Sequence, residues 1–443
     1  MVEVSGEIKV PKDLATSKVL KHYTYKQKIF GMEYPKIIKN FRKSGNFVYL
    51  PRNISKFRKH FTNKFDYKVS DGRSVSFDMK FTPLPHQVES INKLVKEFKS
   101  NLNVLFKAPT RFGKGYVMVA VAQKLKVSTL ILVDKKLLAQ QIVEDTLEYS
   151  TASIELLNAK TIKEYDKSKD VYVATFQLLN SNKDFLSTIK DDFGLLVVDE
   201  CHSASIGATY RSTIHKLNTR YRLGISATPS VPDKNLQGLL TDSFEPVKVI
   251  GEYNDGWIVD VYTHKLPVHY SLNLDLPIQP QYVNYFTDPK VVESIKDLLT
   301  VLKGKRVLIA TPSQEIQNLY IQVAESVGFT GAVMNSESKN LKEKENNLLK
   351  LDSGEVNCLA GLNQLLKGWS GKLDVIIDLF SVGSQENVEQ LLGRVRTKFD
   401  GKTQPMFIQL QSKYTTSKNE KVLRWLKDLP MGNFKGAYDA TTY

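Results

Sequence analysis

The chain has 443 residues, of which 42% are hydrophobic and 25% charged, a composition typical of globular proteins with two or three domains. The N-terminal residues are charged and lack an apolar core, so we expect no secretory signal. No apolar run approaches the roughly 18 residues that cross a bilayer. Two cysteines exclude a disulfide framework and a cysteine-bound zinc site, so we expect a reducing compartment such as the cytoplasm.

The net charge of +15 is concentrated at the N-terminus, where residues 1–80 hold 18 Lys and Arg against 7 Asp and Glu. Residues 34–65 contain nine basic residues and no acidic one, interleaved with phenylalanine and tyrosine. Clustered positive charge binds phosphate backbones through counterion release, and aromatic faces stack on unpaired bases. We therefore predict a small basic nucleic-acid-binding domain at 1–80, although a solvated basic face over an aromatic core fits the same pattern. The predicted contacts are Arg42, Lys43, Arg58 and Lys59.

Beyond residue 80, short apolar runs alternate with helical stretches, a pattern typical of parallel α/β sheets. The runs form two series, so we predict an α/β protein with two similar lobes at 81–240 and 286–443. The mixed stretch 241–285 is interpreted as a linker region. The predicted strands are 103–106, 129–133, 171–175, 195–198 and 222–226 in the first series, and 306–310, 331–334, 357–360, 374–378 and 406–410 in the second.

A candidate phosphate-binding loop follows the first predicted strand and precedes a helical run. A strand, a tight loop and a helix N-terminus aim backbone N–H groups at one point, which suits a phosphate. Gly113 would let the backbone approach closely, and Lys114 would neutralise phosphate charge. Gly115 stands where a magnesium-binding hydroxyl is usual, so the ion would depend on Asp199, water and Thr110. The loop residues are Ala108, Pro109, Thr110, Arg111, Phe112, Gly113, Lys114 and Gly115.

Two carboxylates follow the apolar run Leu195–Val198, which predicts a buried strand. The carboxyl ends of strands in open α/β sheets are where ligands bind. Asp199 would hold Mg²⁺ directly and Glu200 through a water molecule, which Glu200 would position or deprotonate. An acidic turn before a helix is the alternative interpretation.

Two further polar segments are candidates for the same chemistry. The hydroxyls of Ser226 and Thr228 follow another predicted strand and would bond to the carboxylates or to His202. In the second lobe, Gln390, Arg394 and Arg396 form a basic segment, and arginines suit a developing phosphate charge when they are supplied across a cleft. A Ser/Thr turn and a basic helix face are the respective alternatives.

In order and spacing, these segments resemble the motif series of superfamily 2 nucleic-acid helicases and translocases, over residues 81–410. The sequences at 199–202 (DECH) and 222–229 (RLGISATP) are similar to the DEAH-type DNA enzymes around UvsW, RecG and the XPB-like helicases, and nearest to a phage branch-migration helicase. The resemblance implies two RecA-like lobes, ATP and Mg²⁺ as cofactors, and a monomer that acts on forked or branched DNA. Roles in DNA repair, recombination or replication are implied as well, and so is a location in the cytoplasm of a bacterium or a phage-infected host.

The resemblance also assigns residues outside the first four segments. It implies that Gln87 contacts adenine and that Gly368 links nucleic acid to the nucleotide. The family expects an arginine at Thr397, so either Arg394 or Arg396 would be the arginine finger. The implied nucleic-acid contacts are Lys135, Lys136, Thr175, Gln177 and Thr311.

The function expected from the sequence is an ATP-dependent DNA helicase or translocase that binds ATP between its lobes and remodels branched DNA. Three alternatives remain open. The chain would be an RNA helicase if its motifs bind RNA instead of DNA. It would be an ATP-gated clamp if the altered phosphate loop slows the hydrolysis of ATP. It would be the motor subunit of a restriction system if a nuclease is supplied by a partner chain.

Overall fold

The chain folds into two compact units, Met1–Tyr253 and Asn254–Tyr443, in a computed structural model. None of the helices within the described residues is long and apolar enough to cross a membrane. Thr110, Arg111 and Gly368 lie outside the described residues, so their predicted roles have no structural counterpart here. The structure describes residues 2–29, 33–61, 64–109, 112–231, 233–252, 257–269, 273, 277–334, 341–362, 372–380, 383, 385–397, 399–412, 417–429 and 431–438.

The first unit begins with a small β-rich module. Five of its strands form a mixed sheet in the order β5-β6-β2-β1-β7, and β3 and β4 pair separately as an antiparallel ribbon. Burial alternates along β2 and β6, as expected where one face of a sheet packs on a core and the other faces solvent. The elements are β1 (Val2–Val4), β2 (Glu7–Pro11), α1 (Ser17–Lys21), β3 (Thr24–Gln27), β4 (Lys36–Lys39), β5 (Arg42–Ser44), β6 (Phe47–Pro51), α2 (Ile54–Arg58) and β7 (Phe65–Tyr67).

The rest of the first unit is a seven-stranded parallel sheet in the order β10-β11-β9-β12-β13-β8-β14. Its central strands are buried along their whole length because helices cover both faces. The elements are α3 (Pro85–Phe98), β8 (Asn103–Lys107), α4 (Lys114–Leu125), β9 (Thr129–Val133), α5 (Lys136–Tyr149), β10 (Ile154–Leu156), β11 (Val171–Thr175), α6 (Phe176–Ser181), α7 (Lys183–Thr188), β12 (Leu195–Val198), α8 (Cys201–Ile206), α9 (Ala208–Lys216), β13 (Tyr221–Ser226), α10 (Gln237–Phe244) and β14 (Val247–Ile250), with 3₁₀ turns at Thr161–Lys163 and Lys234–Leu236.

The second unit contains another seven-stranded parallel sheet, in the order β17-β18-β16-β19-β20-β15-β21. Apolar clusters lie on both of its faces. The elements are β15 (Val259–Lys265), α11 (Ile278–Phe286), α12 (Pro289–Val301), β16 (Val307–Thr311), α13 (Glu315–Ser326), β17 (Gly331–Met334), α14 (Leu341–Ser353), β18 (Cys358–Leu362), β19 (Val375–Asp378), α15 (Gln385–Val395), β20 (Met406–Gln411), α16 (Ser417–Asp428) and β21 (Gly432–Ala437).

The predicted fold class, an α/β protein with two tandem RecA-like parallel sheets behind a small N-terminal module, is confirmed. All ten predicted strands are present, with bounds that differ by at most two residues. The stretch 241–285, expected as a linker, supplies β14 to the first sheet and β15 to the second. Among the described residues no helix lies between these two strands, so the alternation of strand and helix that revealed the others gave no sign of them.

Arg52 ties the N-terminal module to the first parallel sheet. Its side chain is fully buried, and Nε and Nη2 donate to Oδ1 of Asn103 over 3.1 and 2.9 Å. Nη1 donates to the carbonyl oxygen of Thr219 and, over 3.2 Å, to that of Ser5. Because a buried guanidinium needs several acceptors, this cluster joins the module and the sheet into one unit.

We expect Arg52→Ala to lower the free energy of unfolding by about 3 kcal/mol or more, since the acceptors around Arg52 would stay buried without a donor. Urea denaturation measures this change. The matched control is Arg58→Ala, which removes an exposed arginine of the same module and should cost under about 1 kcal/mol. Equal losses for both variants would contradict the assigned role of Arg52.

Candidate nucleotide and nucleic-acid site

The candidate phosphate loop connects β8 to α4 in the first unit, and Gly113 precedes the first turn of α4 with φ +79°. A Cβ atom at this position would lie 2.3 Å from Nε2 of Gln87, so both the backbone conformation and the space require glycine. The loop is also fixed at its start, because the backbone N–H of Ala108 donates to the carbonyl of Ser226 over 2.9 Å. The free N–H groups of the first turn of α4 therefore have a defined position.

Gln87 holds the loop from the side of α3. Its Oε1 accepts from the backbone N–H of Leu84 over 2.9 Å, and its Nε2 donates to the carbonyl of Phe112 over 3.1 Å. The side chain is buried, so it positions the phosphate loop in this structure. Its contact with adenine stays a prediction.

Asp199 and Glu200 follow β12 at the carboxyl edge of the sheet. Glu200 has φ +45°, a left-handed conformation that is rare outside glycine and is found where surrounding contacts hold it in place. One such contact is an ion pair in which Nζ of Lys114 lies 3.0 Å from Oε1 of Glu200. The loop lysine and the second carboxylate are thus brought together, as their motif spacing predicts.

Asp199 is the more deeply buried of the two carboxylates. Burial raises its pKa from 3.8 to about 6, against the attraction of Lys114, and Glu200 adds repulsion. Its Oδ1 is buried without a hydrogen-bond partner. An unpaired carboxylate oxygen fits Mg²⁺, which is commonly held by one or two carboxylates together with phosphates and water.

Gly115 lies in the first turn of α4 beside a carboxylate of α5. A Cβ atom at Gly115 would lie 3.1 Å from Oδ2 of Asp145, whose pKa burial raises to about 6. A hydroxyl-bearing residue at position 115 would therefore meet an acidic side chain. The sequence analysis did not consider Asp145, because only the packing of α5 on α4 brings it there.

His202 connects the carboxylates to the segment after β13. Its Nδ1 lies 2.7 Å from Oγ of Ser226 and 3.4 Å from Oε2 of Glu200, while its Nε2 lies 2.9 Å from Oγ of Ser203. Oγ of Ser226 also accepts from the backbone N–H of Thr228 over 3.0 Å. Four of the predicted catalytic and coupling residues, Glu200, His202, Ser226 and Thr228, are joined in one chain of contacts.

The predicted nucleic-acid contacts of the first unit follow two strands of the same sheet edge. Lys135 and Lys136 come after β9, where Lys136 is exposed and Lys135 is half-buried. Thr175 and Gln177 come after β11. The hydroxyl of Thr175 accepts from the N–H of Leu178 and caps α6, whereas Gln177 is exposed.

The basic residues named in the N-terminal module differ in their surroundings. Arg42, Lys43, Arg58 and Lys59 are all exposed. Arg42 also binds Glu7 through two hydrogen bonds of 3.0 and 2.7 Å and lies 3.5 Å from the ring centre of Tyr49.

The second unit contains the remaining predicted residues. Thr311 ends β16 and is buried, with no hydrogen-bond partner for its hydroxyl. Gln390 and Arg394 lie half-buried on α15. Arg396 is buried, and its Nε donates to the carbonyl of Trp257 over 2.7 Å. The guanidinium of Arg396 therefore contributes to the core of this unit.

Two exposed apolar residues that the sequence analysis did not name precede α3. Phe81 and Leu84 are each more than half exposed, and they lie just before Gln87 in the chain. The hydroxyl of Tyr116, one residue beyond Gly115, donates to the carbonyl of Phe81 over 2.6 Å. The phosphate loop thus has an apolar surface beside it. In the sequence, the feature that could have predicted this surface is the pair of large apolar residues in an otherwise polar stretch.

We expect Asp199→Asn to stabilise the protein at pH 8 and to stabilise it much less, by about 1 kcal/mol, near pH 4.5. A carboxyl whose pKa is raised by folding opposes folding once the pH exceeds its unfolded value of about 3.9, and the full cost is present above its folded pKa. The shift corresponds to a gain of up to about 3 kcal/mol at pH 8. Thermal denaturation at both pH values measures it, with the exposed Asp13→Asn as a control. A loss of stability at pH 8 would contradict the assignment.

Comparisons with known proteins bear on the same region. Residues 80–231 match the family model of the type III restriction enzyme, res subunit. "Probable helicase D10" of Escherichia phage T5 is 23% identical over 308 residues, which are 68% of this chain and 65% of the relative. L396 of Acanthamoeba polyphaga mimivirus, provisionally named as an ATP-dependent RNA helicase, is 25% identical over 286 residues, which are 62% of this chain and 52% of L396. The chain thus spans less than two thirds of both relatives.

A solved structure is similar over most of the chain. The ATP-dependent type ISP restriction-modification enzyme LlaBIII, bound to DNA, gives a TM-score of 0.58 at 14% identity and matches 82% of this chain and 32% of its own. At this identity the likeness concerns the fold alone. The family model and the two relatives thus make this chain similar to a restriction-enzyme subunit and to proteins named as helicases.

Proposed function

We propose that the chain is an ATP-dependent DNA helicase or translocase that remodels branched DNA. The observation that carries the proposal is the cluster of Lys114, Asp199 and Glu200 at the carboxyl edge of the first parallel sheet. A lysine at a helix N-terminus suits phosphates, and a buried carboxylate beside a second carboxylate suits metal-assisted hydrolysis. The helicase relatives support the same reaction class.

Each side chain of the cluster has a separate role in this proposal. Lys114 and the first N–H groups of α4 would bind the phosphates, and Asp199, whose Oδ1 is buried without a hydrogen-bond partner, would hold Mg²⁺. The bound ion would supply charge neutralisation at the phosphates. Glu200 orients and deprotonates the attacking water. Because Lys114 pairs with Glu200 in this structure, phosphate binding would draw Lys114 away and release the carboxylate for that step.

The adenine and the transferring phosphate require further groups. The exposed apolar surface of Phe81 and Leu84 is suited to the face of a base, and it lies next to Gln87 along the chain. For the charge on the phosphate, Arg394 and Arg396 stay the two candidates, and in this structure Nε of Arg396 donates to the carbonyl of Trp257.

Two observations favour other substrates or roles. The name of the mimivirus relative supports RNA as an alternative to DNA. The match to a restriction-enzyme family model supports a motor that works with a nuclease. The sequences at 199–202 and 222–229 and the exposed basic residues of the N-terminal module are our reasons for preferring branched DNA.

We expect Lys114→Ala and Glu200→Gln each to lower the rate of ATP hydrolysis at least about 100-fold, since each removes a group that acts on the reacting phosphate. The measurement is phosphate release with single-stranded DNA, duplex, fork, four-way junction or RNA. The control is Lys124→Ala, which removes an exposed lysine from the same helix, α4. Unchanged hydrolysis in both site variants would overturn the proposal.

The same panel of nucleic acids separates the candidate substrates. Strongest stimulation by forks or junctions supports branched DNA. Stimulation by RNA alone assigns the chain to the RNA helicases, and tight DNA binding without hydrolysis by the wild type indicates a clamp.

We expect Ser226→Ala to reduce strand displacement per ATP hydrolysed by about tenfold. The change leaves Nδ1 of His202 and the N–H of Thr228 without their common partner, and these groups connect Glu200 to the segment after β13. Parallel measurements of displacement and phosphate release give the ratio. Ser203→Ala, which removes only the contact at Nε2 of His202, should have a smaller effect. Equal ratios for the wild type and Ser226→Ala would contradict a coupling role.

A further inference from the structure

The ribbon of β3 and β4 has an exposed face that is both apolar and basic. Cross-strand partners share a face, so Lys26 lies beside Ile37 and Thr24 beside Lys39. Ile37 is 49% exposed, and Tyr34, just before β4, is 75% exposed. Within residues 24–39 there are four lysines and one acidic residue, Glu33. This composition favours a polyanion with accessible apolar faces, which describes nucleic acid with exposed bases.

The opposite face of the ribbon is fixed to the first parallel-sheet lobe by an apolar contact. Tyr25 and Ile38, which are cross-strand partners, pack on a small cluster. The other members of this cluster are Val231, Leu236, Leu239 and Ile206.

A buried carboxylate adds a polar anchor at the base of the ribbon. Asp242 of α10 is fully buried and accepts from the hydroxyl of Tyr25 over 2.6 Å and from Nδ2 of Asn40 over 2.9 Å. Nζ of Lys56 lies 2.6 Å from the other oxygen of Asp242 and 2.8 Å from the hydroxyl of Tyr25. A buried charge with this set of partners has one favourable geometry, so the ribbon has a defined direction.

Gly238 allows the close approach of the ribbon to α10. A Cβ atom at Gly238 would lie 2.2 Å from Cε1 of Tyr25, so any larger residue would push the ring away. The glycine, the apolar cluster and Asp242 all act on Tyr25. The position of the ribbon therefore depends directly on α10 and on the segment before it.

Two segments that contribute to the apolar cluster, α8 and the stretch before α10, connect it to the candidate nucleotide site. Ile206 is the last residue of α8, the helix that begins directly after Glu200. Val231 follows Thr228 by three residues, in the segment between β13 and α10. Glu200, His202 and Ser226 are in contact with one another. The first segment begins at Glu200 and His202, and the second begins after Ser226. Two short stretches of chain thus join the carboxylates to the apolar cluster at the base of the ribbon.

We propose that the ribbon of β3 and β4 is the strand-separating element of this protein. Tyr34 and Ile37 stack against the last base pair at the junction between paired and unpaired strands, while Lys26 and Lys39 contact the phosphates. Movements at the nucleotide site reach the ribbon through α8 and the segment before α10. This inference rests on the proposed helicase or translocase function.

The test is strand displacement from a forked duplex by the full chain carrying Tyr34→Ala and Ile37→Ala together. We expect strands displaced per ATP hydrolysed to fall at least tenfold, because the exposed side chains that oppose re-pairing are removed. Both residues are exposed, so the substitutions leave the core intact. The control is Leu349→Ala, which removes a residue of α14 that is 65% exposed and should leave the ratio unchanged.

A second measurement detects the contact without turnover. A fluorescent base analogue at the junction should change its emission on binding of the wild type and of Tyr34→Phe, but not of Tyr34→Ala. If the wild type displaces strands and the double variant displaces them equally well per ATP, the inference is overturned. If the wild type hydrolyses no ATP with any nucleic acid, the proposed function itself fails.

Discussion

The ion pair between Lys114 and Glu200 lies where a phosphate loop and the end of a buried strand meet, and most of the site is arranged around it. Asp199 and Glu200 follow a strand that is covered on both faces, so water alone does not compensate their charges. Lys114 has to reach them from the first turn of α4, which in turn requires the left-handed glycine at position 113. His202 lies beside the second carboxylate oxygen of Glu200 and is also within hydrogen-bond distance of the hydroxyl of Ser226. A site with this much unfavourable burial is suited to ligands that bring a cation and phosphates.

Buried charge also explains why the N-terminal module is continuous with the first parallel sheet. Arg52 and Arg222 are both fully buried, and each donates to backbone carbonyls of the other part: Arg52 to Thr219, and Arg222 to Gly6. Asp242 receives three donors from the module in the same way. Removing one partner of such an interaction leaves an uncompensated charge, so neither part is independent of the other.

The sequence predicted the fold well because parallel strands are uniformly apolar and are separated by helices. It also predicted that Lys114, Glu200, His202 and Ser226 are close, since their segments end neighbouring strands of one sheet. The strands within 241–285 escaped prediction because the described part of the chain has no helix between them. The contacts of Arg52 and Lys56 could not be predicted either, because their partners are 51 and 186 residues away in sequence. The domain bounds and the individual roles of the site residues stay predictions.

The basic residues at 34–65 have different surroundings in the structure, so their charge alone did not predict which of them are exposed. Seven of the nine are exposed, whereas Arg52 is buried and Lys56 is bound to Asp242. The two exceptions hold the module in place, and the others leave a basic surface around a ribbon with exposed Tyr34 and Ile37. A surface that only held DNA would gain little from a rigid base. A ribbon that resists the re-pairing of two strands needs one, because the force on its exposed residues must be carried by the core beneath it.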